Sequence, residues 1–303
     1  MITPGRTIAI AALLIAAFAG SVVSLNGVEK ARGQEATLEE VLFIPSSRAL
    51  KRMSLGYSGL LADIYWTRAV QYYGRKLQTR KPTLRYDLLY PLLDITTDLD
   101  PYLIVAYEFG SVFLSQRPPV GAGQPDKAAQ LVEKGIRANP DYWRLYFTLG
   151  CIQFFDRKDY KAAQEAFEKG SENPKSLIWM KTMAASMAER ANDPETALNL
   201  WTRLYETTSD EMVKQNALQH IEGLRADHDV LELERRVKMY QQRTGRLPSN
   251  WYEMMHERLL AQVPLDPTEK PYKLMPDGTV QVEDPDSIPF LTQGTPPEWK
   301  KSH

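Results

Sequence analysis

Three segments of this chain carry the same spacing of small and apolar residues, repeated at a period of 34 to 35 residues. Within each segment the second and third residues follow the first at +4 and +7, which places all three side chains on one face of a helix. The three sets are Ala128, Val132 and Gly135; Ala163, Phe167 and Gly170; and Ala197, Trp201 and Leu204. A fixed period of this length is typical of a helical solenoid, whose units bury their apolar faces by stacking. The repeat therefore predicts a binding scaffold and leaves its partner unidentified.

The pattern resembles the tetratricopeptide repeat, a family of paired antiparallel helices with a unit of about 34 residues. One unit ends at Pro140 and keeps the family's second-helix spacing. The next offers Leu149-Gly150 on a first helix and Tyr160 on a second, and a third offers Ala184-Ala185 for a close helix crossing. The resemblance implies an all-α solenoid of helical hairpins. It also implies a concave surface, lined by the first helix of each pair, that holds a peptide or helix from another protein.

Residue size gives a packing reason for the repeat. Small residues let neighbouring helix backbones approach closely, and Phe167 and Trp201 are large enough to fill the space between helix pairs. The residues expected to pack the repeats are Ala128, Val132, Gly135, Gly150, Ala163, Phe167, Gly170, Ala185, Ala197, Trp201 and Leu204. We expect these side chains to be structural, because aromatic residues at helical spacing usually belong to a core.

An earlier and more degenerate unit precedes these three. Pro91 falls inside its second helix, where the missing backbone donor predicts a kink. The unit is drawn from Trp66, Ala69, Val70 and Tyr73 on its first helix to Leu89, Leu93, Thr96 and Pro101 on its second. The predicted repeat domain therefore covers residues 48–209.

An uncharged run at residues 7–25 follows a short start that contains Arg6. At about 1.5 Å per residue, such a run is just long enough to span a bilayer. We expect residues 1–28 to form a signal anchor, a transmembrane helix followed by a juxtamembrane segment at 29–47. The protein is then a single-pass inner-membrane protein with most of its chain in the bacterial periplasm. The alternative is a signal peptide cut after the small residues Ala17 and Ala19, which would release the chain into the periplasm.

A basic stretch lies between Ser47 and Tyr90, where only Asp63 and Asp87 are acidic. Its basic residues are Arg48, Lys51, Arg52, Arg68, Arg75, Lys76, Arg80, Lys81 and Arg85. One interpretation is a solvated helix face; the other is a patch that meets anionic lipid headgroups or an acidic partner. Nucleic acid is not expected as a partner, because an exported chain rarely meets it and the whole chain has a net charge of −1.

The region after the repeats changes character twice. Residues 210–244 are predicted to form two capping helices, and residues 245–284 a small α+β cap with a hairpin at Asp277-Gly278. Residues 285–303 form a proline-rich tail that is expected to be extended or loosely ordered.

The cap resembles the C-terminal part of type II secretion pseudopilins, in which a helix leads through a Gly-x-x-Pro segment and an Asp-Pro loop to a small sheet. The matching residues are Tyr240, Gly245, Pro248, Leu259, Leu260, Pro264, Asp266, Pro267 and Tyr272. The resemblance implies a compact capping module and does not make the protein a pilus subunit.

No catalytic constellation emerges from the sequence. The four histidines lack metal-ligand spacing, and His220 and His228, eight residues apart, are too far from each other for one ion. The single cysteine, Cys151, allows no intramolecular disulfide and is expected to be a buried structural thiol. We therefore expect no cofactor, metal or small-molecule substrate.

These observations favour a non-enzymatic, membrane-tethered scaffold that mediates protein–protein interactions in the envelope. The first alternative is a component of a secretion, pilus or envelope-biogenesis machine, which the cap suggests. The second is an enzyme whose site is dispersed along the chain.

Overall fold

The computed structural model describes residues 46–79 and 85–297, together with residues 20 and 299. This part of the chain is mostly helical, which confirms the all-α class. Its helices are α1 (Ser47–Met53), α2 (Ser58–Thr79), α3 (Leu89–Leu99), α4 (Ile104–Ser115), α5 (Pro125–Ala138), α6 (Trp143–Cys151, continued by a π-helix at Ile152–Arg157), α7 (Tyr160–Ser171), α8 (Trp179–Arg190), α9 (Pro194–Thr207), α10 (Glu211–Thr244) and α11 (Trp251–His256). A short hairpin of β1 (Lys273–Leu274) and β2 (Val280–Gln281) is followed by a 3₁₀ turn at Pro285–Ser287.

None of the helices in the described part of the chain combines the length and apolar character that a membrane crossing requires. The run predicted as an anchor, residues 7–25, lies outside the described residues except for residue 20.

The chain divides into two compact units, residues 1–127 and residues 128–303. In the first unit, α2 packs on α3, and α3 also contacts α1 and α4. The predicted second-helix residues Leu89, Leu93 and Thr96 are all fully buried in α3. Pro91 is only the third residue of α3, so its missing N–H falls where the first turn has no intrahelical acceptor. Pro91 therefore gives no reason for a kink in α3.

In the second unit, consecutive helices from α6 to α10 pack against one another in chain order, which is a solenoid-like arrangement. Helices α7 and α9 hold equivalent anchor sets, and a salt bridge of 2.9 Å joins Arg203 of α9 to Glu168 of α7. These two residues are 35 positions apart, one repeat period. A second link lies between helix ends, where the Asn173 side chain donates to the Asp141 carbonyl at 2.7 Å.

Aspartate N-caps start the second helices of two repeats. The Asp159 side chain accepts from the Ala162 amide at the start of α7, and Asp193 accepts from the Thr196 amide at the start of α9. The two aspartates are 34 residues apart, so the caps follow the same period as the apolar anchors. An N-cap carboxylate satisfies backbone donors that the first turn leaves without an acceptor.

Residues 210–244 were predicted to form two helices, and this was wrong, because Glu211–Thr244 is one continuous helix. The Asp210 side chain caps its start, and Gly245 ends it in the left-handed conformation with a φ of 76°. Gly223 lies in mid-helix, where an added Cβ would stand 3.0 Å from the Pro289 carbonyl oxygen. This glycine therefore serves close packing and does not break the helix.

The cap module packs on the C-terminal half of α10. Its core joins Val237 and Tyr240 of α10 to Trp251, Tyr272 and Val280. The hairpin predicted at Asp277-Gly278 is present, with Lys273 opposite Gln281 and Leu274 opposite Val280. Gly278 has a φ of 85°, a conformation that glycine adopts without strain.

The proline-rich tail was predicted to be extended or loosely ordered, and this is wrong for residues 288–293, here named the strap. Ile288 is fully buried and Leu291 is 5% exposed, both in the core of the cap module. Burial of apolar side chains accounts for this order, because composition rich in proline does not prevent a short segment from packing on an existing surface.

Candidate functional site

Each of the eleven residues predicted to pack the repeats is buried. Gly150 shows why size matters, since a Cβ there would stand 2.5 Å from the ring of the fully buried Phe167. Gly170 is similarly placed, 2.7 Å from the Cβ of Tyr146. These residues build the scaffold, and of the eleven only Leu204 also lines the groove described next.

A groove of about 300 Å³ lies over helices α7, α8 and α9 of this scaffold. Its apolar lining comes from Ala184, Leu200 and Leu204. Its polar lining is Glu168, Ser171, Glu172, Lys181, Arg203 and Thr207. An apolar strip with charges of both signs beside it can hold an amphipathic segment, because apolar side chains gain from burial while the charges set its orientation.

The groove differs from the expectation that first helices line the binding surface. Most of its lining comes from α7 and α9, which are second helices, and only Lys181 and Ala184 come from α8, a first helix. Glu168 is already engaged, since it accepts from Arg203 at 2.9 Å and from Gln164 at 2.5 Å. Lys181 and the exposed guanidinium of Arg203, which pairs with Glu168, supply the positive charge of the groove.

His220 lies at a second constellation that the sequence did not reveal. Its ring is stacked between Trp201, at a centroid distance of 4.1 Å, and Phe290 of the strap, at 3.7 Å. The Glu189 carboxylate faces His220 Nδ1 at 2.8 Å and also accepts from the Trp201 indole N–H. The side chain of His220 is therefore both buried and paired with a carboxylate. Its two covered ring faces favour a structural role over proton transfer to a substrate.

Asp227 fixes the strap beside this histidine. Its carboxylate accepts from the Thr292 and Gln293 amides at 2.9 and 2.6 Å and from the Thr292 hydroxyl at 2.6 Å. Burial raises the pKa of Asp227, and the hydrogen bonds from Thr292 and Gln293 act in the opposite direction. Asp227, His228 and Asp229 lie inside α10 and do not mark a helix boundary.

A second cavity, of about 350 Å³, opens between α10 and the cap module. Asp229, Glu232, Arg236 and Tyr272 are among its lining residues. Arg236 already pairs with Glu232 at 3.0 Å, and the Tyr272 hydroxyl lies 3.3 Å from the Asp229 carboxylate. Burial raises the pKa of Tyr272, so its phenol stays neutral and carries no negative charge. The groups here satisfy one another and do not converge on a ligand.

The described residues of the basic stretch make separate contacts. Arg68 lies over the Tyr65 ring at 5.3 Å, and Arg85 pairs with Asp87 at 3.3 Å. The exposed members are Arg48, Lys51, Arg52, Arg68, Arg75 and Arg85. Lys76 is half-buried, and Arg80 and Lys81 lie outside the described residues.

Cys151 is partly buried beside α7, and burial raises the pKa of its thiol to about 11. A thiol with so high a pKa is a poor nucleophile, because the reactive species is the thiolate. Within the described ranges, no group of three or more His, Cys, Asp or Glu side chains has metal-site geometry.

No protein-family model matches the chain. A comparison with curated proteins also finds no match. Function is therefore inferred from the residues of this chain and the contacts among them.

Proposed function

We propose that the protein is a non-enzymatic adaptor whose helical repeats bind a segment of another protein in the groove over α7, α8 and α9. One observation carries the proposal: Ala184, Leu200 and Leu204 form an apolar strip flanked by Lys181 and Arg203, on a stack of helices with a 34 to 35 residue period. The repeat provides rigid neighbouring helices. The groove provides an apolar surface whose flanking charges can orient a partner. An amphipathic helix or extended peptide with acidic residues fits this chemistry.

The resemblance to tetratricopeptide repeats supports the same function. The apolar run at residues 7–25 supports a membrane tether, with the repeats in the bacterial periplasm. A cut after Ala19 would give the same adaptor free in the periplasm.

Site-specific photo-crosslinking in intact cells tests the groove. A photoreactive amino acid replaces Thr207, an exposed lining residue of α9, and in a matched control it replaces Glu165, an exposed residue of α7 outside the lining. We expect a discrete protein adduct from position 207 and none from position 165. The adduct should be lost in the double variant Lys181→Glu/Arg203→Glu.

The charge control is Lys169→Glu/Lys175→Glu, which makes the same change in net charge at two exposed residues outside the groove lining. We expect this control to keep the adduct. Equal adducts from positions 207 and 165, or equal loss in both double variants, would contradict a groove-specific partner.

A second candidate function is a component of a secretion, pilus or envelope-biogenesis machine. It is favoured by the order α10, Gly245, Asp266-Pro267 and the β1–β2 hairpin, which resembles the layout of the pseudopilin C-terminal part. Such a component should fractionate with its machine, and deletion of the cap module should impair assembly of that machine while the groove adduct remains.

A further inference from the structure

A group of exposed apolar side chains lies at the N-terminal end of the described chain. Leu55 is 86% exposed and Leu60 is 61% exposed, although leucine is usually buried. The group consists of Met53, Leu55, Tyr57, Leu60 and Ile64, here named the apolar tip. Exposed apolar groups of this density usually mark an interaction surface.

Helix α2 has two distinct faces that explain which residues are exposed. Ala62, Tyr65 and Ala69 follow a spacing of three and four residues and are buried in the first unit. The opposite face begins with Leu60 and Ile64 and continues, two turns further on, with the exposed Gln71. The exposed apolar residues Leu60 and Ile64 therefore lie in the N-terminal half of α2, and Val70, 37% exposed, follows in the C-terminal half. The apolar tip is local and not a continuous seam along the helix.

The turn before α2 presents the remaining apolar residues. Leu55 has a φ of 49° and Gly56 has a φ of 94°, so a branched residue occupies the left-handed region that favours glycine. Ser54 is buried, and its hydroxyl donates to the Lys51 carbonyl at 2.7 Å. The Tyr57 amide donates to the Ser54 carbonyl at 2.8 Å. These contacts fix a turn that displays Leu55 outward.

The charges around the tip are mostly positive. Residues 46–79 contain six basic residues and one acidic residue, Asp63. Arg48, Lys51, Arg52 and Arg68 are exposed and lie within five residues of a tip residue in sequence. Apolar side chains with basic residues around them are the chemistry of a peripheral surface that enters an anionic lipid interface. Tyr57 suits the headgroup level, because its ring is apolar and its hydroxyl is polar.

We propose that the apolar tip inserts into the interface of an anionic phospholipid bilayer, with Arg48, Lys51, Arg52 and Arg68 on the lipid phosphates. The inference extends the proposed membrane tether. Twenty residues separate the apolar run 7–25 from Ser46, a distance of at most about 70 Å when fully extended. A tethered chain therefore keeps the tip within reach of the same bilayer. Docking would hold the first unit at the lipid surface.

The test uses the full chain with Cys151→Ala, reconstituted into vesicles, with an environment-sensitive fluorophore on Leu55→Cys. In vesicles with about one-third phosphatidylglycerol we expect a blue-shifted emission that nitroxide-labelled lipids quench. In vesicles of phosphatidylcholine alone, or at high salt, the shift should be largely lost, because the basic residues are then only weakly attracted to the lipid surface.

Two controls separate docking from simple tethering. A fluorophore on Gln71→Cys, two turns along the same face of α2, should report water in both kinds of vesicle. The variant Lys51→Glu/Arg52→Glu should abolish the shift at position 55 while the chain stays in the vesicles after an alkaline wash. Loss of the chain in that wash, with the shift at position 55 intact, would overturn the tether and leave the docking surface supported.

Three results would overturn the docking proposal. The first is an aqueous signal from position 55 in anionic vesicles that retain the chain. The second is an equal shift in both kinds of vesicle. The third is a shift that lipid nitroxides do not quench and that grows with protein concentration, which would assign the tip to a second copy of the chain.

Discussion

In the repeat helices, Phe167 and Trp201 pack against side chains from neighbouring helices in chain order. In the C-terminal region, α10 collects partners from much further along the chain, such as the Gln293 amide, 66 residues from Asp227. The first region repeats one arrangement of adjacent helices. The second region is held by individual contacts between residues that are far apart in sequence. The comparison teaches that a defect in the repeats should spread along adjacent helices, whereas a defect beside the strap should remain local.

The largest effect is expected when a repeat core side chain is removed. Trp201→Ala deletes a fully buried ring that also donates to Glu189, so the free energy of unfolding should fall by about 3–5 kcal/mol. The measurement is urea denaturation followed by circular dichroism. Trp179→Ala is the control, because that ring is 37% exposed and contacts Phe147 at the edge. An equal loss of unfolding free energy in both variants would contradict a larger contribution from Trp201 than from Trp179.

A smaller loss is expected from overpacking one helix crossing. Gly150→Ala brings a methyl group to 2.5 Å from the Phe167 ring and should lower the free energy of unfolding by about 1–3 kcal/mol. The matched control is Gly74→Ala in α2, where an added Cβ would have no atom from outside the local helix backbone within 4 Å. That variant should be neutral or stabilising, because alanine favours helix over glycine by about 1 kcal/mol. Thermal denaturation of the two variants compares them directly, and equal melting temperatures would argue against the tight crossing.

Release of the strap should be local. Asp227→Ala removes the acceptor for the Thr292 and Gln293 amides and should cost about 1 kcal/mol, confined to residues 288–293. Hydrogen exchange measured by mass spectrometry should show faster exchange there and unchanged protection in α7 and α9. Asp229→Ala, two residues away on α10, should leave the strap protected. Faster exchange throughout the repeats would contradict the independence of the two regions.

The smallest effect is a pH dependence in the cap module. Hydrogen bonds from Arg246 and Tyr240 hold the pKa of Glu253 below its ordinary value. Its stabilising contribution is therefore present above the ordinary glutamate pKa of about 4.3 and is lost as the pH falls through the lower folded-state value. Acidification should lower the protection of backbone amides in the cap module, and this loss should be smaller in Glu253→Gln. Hydrogen exchange measures it, with the exchange rates corrected for pH. The same acid loss in both proteins would assign the effect to other carboxyl groups.

The sequence predicted the elements that local pattern controls. The anchors at Ala128, Ala163 and Ala197 are buried on helices, and the turn at Gly278 closes a hairpin. The division of α10 into two helices was wrong, because the helix is continuous through Gly223, where the absence of a side chain admits the Pro289 carbonyl. The spacing between the N-cap residues Asp159 and Asp193 is a second signal of the repeat, in addition to the apolar pattern.

The candidate site was harder to predict than the scaffold. The sequence placed partner contacts on first helices, but the groove takes most of its lining from α7 and α9. Side chains such as Leu200 and Arg203 carry no motif, because any amphipathic helix offers similar residues. Only their position next to Lys181 of α8 turns them into one surface.

The amino-acid sequence by itself determined the helical class, the 34 to 35 residue period and the small residues at the crossings, because these depend on contacts between neighbours along the chain. Tertiary structure alone decided the groove, the His220 stack, the ordered strap and the exposure of the apolar tip. Each of these depends on residues that are distant in sequence or on which helix face another element covers. Contacts between residues distant in sequence leave no periodic trace in a single sequence.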